Sequence, residues 1–108
     1  MDTLKEREAK VRQWFEECDT RNPETRKSLL RAVKMIYDRQ TRSEQQSSTT
    51  HLDNGVGFNK PDASFFTFVA QTFHTSMPNR HAIKCKFRLK KYARQIAEIA
   101  LDNERRMR

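Results

Sequence analysis

Glycine is nearly missing from this chain, with two in 108 residues, and proline is scarcely commoner, with three. An all-β fold, which needs a turn every eight to twelve residues or so, cannot be assembled from so few turn-formers. No apolar run approaches the ~20 residues of a membrane-spanning helix. The opening residues, MDTLKEREAK, lack the apolar core of a signal peptide. Cysteine is sparse as well: Cys18 and Cys85 lie far apart, each inside a helical apolar pattern. They read as buried free thiols of a reducing cytoplasm, with a disulfide between them as the alternative. The last scarcity is local. From Arg80 to Arg94 there is no acid at all.

What is present favours helices. Only 35% of the chain is hydrophobic and 33% is charged, a balance that suits elements needing one apolar stripe rather than a whole apolar face. At this length a single domain with a modest core is expected. The expected fold class is all-α, about four helices: an N-terminal helical hairpin (1–40), a polar flexible linker (41–53), and a glycine-turn and two-helix basic module (54–108), together one compact domain. The net charge of +8 is unevenly placed. Residues 1–77 hold twelve Lys and Arg against eleven Asp and Glu, whereas residues 78–108 hold ten against three.

The first helix is expected over residues 2–18, with Leu4, Val11, Trp14, Phe15 and Cys18 on one face. Asn22 as cap, Pro23 at the first helical position and Glu24 in the first turn start a second helix. It is expected to run to about Gln40 and to bury Leu29, Leu30, Val33, Ile36 and Tyr37. Residues 41–53, TRSEQQSSTTHLD, have almost no apolar content. Both glycines then fall in Asn54-Gly55-Val56-Gly57-Phe58, where the backbone needs positive φ or a close approach. Pro61 and Asp62 open a third helix to about His74, its inner face formed by Phe65, Phe66, Val69 and Phe73, with Phe58 folded back as a staple. Phe68 lies off that face, as a second contact or an exposed aromatic. After Ser76-Met77-Pro78, with Asn79 as cap, the last helix carries an apolar seam of Cys85, Leu89, Tyr92, Ile96 and Ile99, with Ile83 and Phe87 beside it.

Few arrangements in this chain carry chemistry. The spacing at Gly55 and Gly57 lacks the third glycine of a dinucleotide site and the Gly-Lys-Ser/Thr ending of a P-loop. A structural turn is the plainer reading, with a phosphate contact through Gly55, Gly57 and Lys60 as the alternative. His74, His81 and Cys85 lack the paired-ligand spacing of a zinc site, so no metal or other cofactor is expected. No nucleophile–base–acid pattern and no carboxylate cluster is evident, so the chain is expected not to be an enzyme.

The basic helix is the strongest signal. Arg80, Lys84, Lys86, Arg88, Lys90, Lys91 and Arg94 form two ridges, one of Lys84, Arg88 and Lys91 and one of Lys86, Lys90 and Arg94. Such a run suits the phosphates of DNA or RNA, with little sequence preference because polar base-reading side chains are few. An acidic protein surface, or mere solvation and pairing with acids of the first hairpin, are the alternatives.

Asn54-Gly55-Val56-Gly57-Phe58-Asn59, then Asp62-Ala63, Phe65 to Ala70 and Lys91-Tyr92-Ala93-Arg94-Gln95-Ile96 resemble a short module of phage and mobile-element proteins, found alone or next to helicase-type domains. The resemblance covers about residues 54–97 and departs from the module at Asn79-Arg80-His81, where a threonine-rich or glutamine-bearing helix start is usual. It implies an accessory role in DNA or RNA transactions, in the cytoplasm of a bacterial host, without enzymatic activity. The rival expectation is a protein-interaction module, a subunit or an anti-CRISPR-like inhibitor docking on a nucleic-acid-processing complex. The apolar seam could also pair with its own copy in a homodimer.

Overall fold

The computed structural model describes residues 3–47 and 58–106. These form helices α1 (Leu4–Glu17), α2 (Pro23–Ser47), α3 (Lys60–Thr72), α4 (Asn79–Leu89) and α5 (Ala93–Arg106), with a 3₁₀ turn over Lys90–Tyr92 joining the last two. No strand occurs among the described residues, and the protein is a small all-α domain. No helix among them is long and apolar enough to cross a membrane.

Local chemistry sets the helix starts. Thr3 Oγ1 accepts from the Glu6 backbone N–H at 3.2 Å, satisfying one of the unpaired donors at the start of α1. Asn22 Oδ1 does the same for Glu24 N–H at 2.9 Å, with Pro23 as the first residue of α2. Between them, Arg26 donates to the carbonyls of Thr20 and Arg21 and closes the connector. α4 starts differently from expectation: Pro78 holds the cap position and Asn79 is the first helical residue.

α2 continues to Ser47, seven residues beyond Gln40. The first part of the expected linker is therefore helix, and residues 48–53 lie outside the described residues. Apolar content was the wrong signal there. Arg, Glu and Gln are good helix formers, and a helix already nucleated can be propagated by them without a buried face.

One contiguous core draws on all five helices: Phe15 from α1, Leu29, Leu30, Val33 and Ile36 from α2, Phe66 and Val69 from α3, Cys85 and Leu89 from α4, and Ile96 and Ile99 from α5, with Tyr92 of the 3₁₀ turn. Leu29, Val33 and Ile36 recur every three or four residues, and each is fully buried. Burial of side chains this size contributes roughly 1.5–3 kcal/mol apiece. The N-terminal hairpin is splayed. α1 lies chiefly along α5, while α2 packs on α3, α4 and α5. Arg7 meets Glu104 at 2.6 Å across α1 and α5.

The seam of the last helix is buried as expected, and its residues are enclosed within the monomer rather than available to pair with a copy. α3 is one of its partners, through Phe66 against Tyr92 at 6.0 Å between ring centroids, but α2 covers α4 more extensively. Phe58 stacks on Phe66 at 4.5 Å and meets Tyr92 edge-on at 5.6 Å, the expected staple. Three positions depart from expectation: Trp14 is half-exposed, and Ile83 and Phe87 point outward. Phe87 lies two residues from both Cys85 and Leu89, about 200° around a helix, so the seam cannot reach it.

Candidate nucleic-acid interface

The basic helix is built around one acid from elsewhere. Asp62, in the first turn of α3, is 3% exposed. Lys91 Nζ meets its Oδ2 at 2.6 Å and Arg88 Nη1 its Oδ1 at 3.3 Å. The Tyr92 hydroxyl donates to Oδ2 at 2.7 Å and accepts from the Asn59 backbone N–H at 2.8 Å. Burial alone would raise the Asp62 carboxyl. The bonds from Lys91 and Tyr92 and the Lys91 and Arg88 charges outweigh it and hold the carboxyl below its usual range. Burial, together with the bond to Asp62, pushes the Tyr92 phenol up, so it stays protonated and remains a donor. Asp62 thus anchors two of the seven cations, where the sequence placed only a first-turn acid.

The two expected ridges lie on different sides of the helix. Lys84 and Arg88 stand over the Phe65 ring of α3 at 5.9 and 5.2 Å, within reach of cation–π attraction. Lys86 and Lys90 turn instead toward the end of α1. Lys86 Nζ donates to the Cys18 carbonyl at 2.7 Å, a cation placed on the negative end of a helix. Lys90 Nζ pairs with Glu16 at 2.8 Å, and this bond and charge lower the Glu16 carboxyl. That pair is an instance of the expected pairing with acids of the first hairpin. Arg94 pairs along its own helix with Glu98 at 3.3 Å, with its side chain 67% exposed.

Between these sides lies the outward face, with Arg80, Ile83, Lys84, Phe87, Lys91 and Arg94 exposed. Four of its six members are cations. Phe87 is 72% exposed and stands at its centre, three residues after Lys84 and four before Lys91. A helical wheel drawn from Cys85 and Leu89 places it there. The role of Asp62 had no comparable local signal.

The remaining candidates do not converge on one another. Gly55 and Gly57 lie outside the described residues, and Lys60 is the exposed first residue of α3. His81 sits among Phe65, Phe68 and Phe73, its Nδ1 buried without a partner, and burial followed by the Arg80 and Lys84 charges lowers its pKa. Phe68, half-exposed, is both a second contact to Phe73 and His81 and a surface aromatic. His74 is exposed beside Lys27, Lys34 and Asp38. Cys85 is buried with its sulfur 3.8 Å from that of Met77, and burial pushes its thiol up to about 12. No group of three metal-ligating side chains occurs among the described residues, and both cysteines are free.

Compared with known proteins, the chain matches no family model, no curated protein and no solved structure at a significant level.

Proposed function

We propose that this chain is a non-enzymatic nucleic-acid-binding accessory protein that contacts phosphates through the outward face of α4 and the start of α5. The observation that carries the reading is the exposure of Arg80, Lys84, Lys91 and Arg94 on one acid-free stretch of helix. That stretch covers roughly 20 Å of helix axis, and three of the four, Arg80, Lys84 and Arg94, meet a polyanion without first breaking a buried bond, while Lys91 is held on Asp62. The resemblance of residues 54–97 to the phage and mobile-element module points the same way, toward a bacterial cytoplasm.

The fold decides which substitutions test it. Reversing Arg88 or Lys91 would set an acid against buried Asp62 and confuse binding with folding. Changing Arg80, Lys84 and Arg94 to Glu avoids that. This variant is expected to lose binding to labelled oligonucleotides at low salt, and the slope of log K against log salt should flatten by about 2. Unchanged affinity and slope would refute the proposal.

A second reading rests on a different feature. A groove of about 230 Å³, lined by Val11, Trp14, Phe15, Ala32, Met35 and Ile96, opens where α1 and α2 splay, with Trp14 half-exposed at its edge. Such a groove suits a protein contact, as of a subunit or anti-CRISPR-like inhibitor on a nucleic-acid-processing complex. Affinity capture after nuclease treatment separates the two readings, because a partner retained without nucleic acid favours docking on protein.

A further inference from the structure

Nothing in the phosphate-binding reading accounts for Phe87. Aromatic rings dominate the C-terminal half, and most of them are packed: Phe58, Phe66 and Tyr92 on one another, and Phe65, Phe68 and Phe73 around His81. Phe87 is left 72% exposed, with Ile83, 41% exposed, one helical turn before it. Lys84 and Lys91 flank it along the helix, and Arg80 and Arg94 stand one heptad to either side. We infer that Phe87 is a stacking platform for an unpaired base, so that this face takes single-stranded nucleic acid in preference to duplex. The inference rests on the reading of the basic face as a phosphate contact and names its substrate class.

Two physical arguments select the single strand. A duplex presents phosphates outside and base edges in its grooves, while its base faces are already stacked on one another. An exposed phenyl ring has no matching surface there unless it forces a base step apart. A single strand offers unstacked base faces between its phosphates, matching a ring set among cations, and stacking tolerates any base. From Arg80 to Lys91 there is no Asn, Gln, Ser or Thr, so readout of base edges would fall to the same Arg and Lys that meet phosphates. The occupant is therefore a polyanion with accessible aromatic faces.

The test uses the full chain with fluorescently labelled oligothymidylate, oligouridylate and a short duplex, followed by anisotropy at low salt. Phe87→Ala should weaken single-strand binding roughly 5- to 100-fold and change duplex binding less than about twofold. Phe87→Trp should keep single-strand affinity, with its fluorescence quenched by the stacked base. Preferred binding of either oligomer upholds the inference, and their ratio states whether the face takes a DNA or an RNA strand. Equal losses on duplex and single strand, or no loss on either, would overturn it. Loss of binding in the Arg80, Lys84 and Arg94 reversal alongside an unchanged Phe87→Ala would remove the stacking role and leave the phosphate contact standing. If the wild-type chain binds none of the three probes, the phosphate reading itself fails.

Discussion

The side of α4 that meets α3 and the side that faces outward are made of the same materials, cations beside an aromatic ring, in opposite circumstances. On the inner side Arg88 and Tyr92, with Lys91 reaching in from the edge of the outward face, gather on one buried carboxylate. On the outer side Arg80, Lys84 and Arg94 stand about an exposed phenyl ring, and Arg94 pairs with Glu98 one turn along α5. A run of cations read along a sequence does not reveal this division. It takes a single acid from a distant element to turn part of the run into framework and leave the rest as surface.

The largest blow to the comparison should come from Asp62→Ala. It removes the buried acceptor shared by Arg88, Lys91 and Tyr92 and is expected to cost about 2–4 kcal/mol, read by urea denaturation. The same carboxyl sets an acid limit. Its pKa is depressed in the folded state, so its contribution is complete above the unfolded value near 4. That contribution is lost as pH falls through the lower folded value, and Asp62→Asn should flatten this part of the stability curve. A smaller break is Tyr92→Phe, expected to cost about 1–2 kcal/mol, because the Asn59 N–H loses its acceptor and Asp62 loses a donor. Smallest of all, Phe87→Ala should leave stability within about 0.5 kcal/mol of wild type. A large loss of stability there would show that the outer ring belongs to the framework after all.

Much of the framework was legible because it is periodic. Cys85, Leu89, Tyr92, Ile96 and Ile99 announce a buried seam by spacing alone, and so do Leu29, Val33 and Ile36. The same arithmetic sets Phe87 opposite the seam, not beside it as expected. Three features were not legible. The extension of α2 to Ser47 depends on helix propensity in a stretch without apolar residues. The tightened 3₁₀ turn at Lys90–Tyr92 has no Pro or Gly to mark it, and it coincides with the two residues, Lys91 and Tyr92, that reach Asp62. The network itself joins residues about 30 positions apart, as the Tyr92–Asp62 bond does, so it exists only once α3 has docked beside α4.

Asp62 also settles a question of phase. An apolar seam is a poor angular key, since greasy side chains tolerate rotation and sliding against one another. A carboxylate that must receive a hydroxyl, an ammonium and a guanidinium at once accepts one setting, because a one-residue slip would turn all three by about 100°. The buried acid therefore works as an indexing pin for the last helix. What it indexes is the opposite side, where Phe87, Arg80, Lys84 and Arg94 are held at a fixed bearing by a contact they never touch.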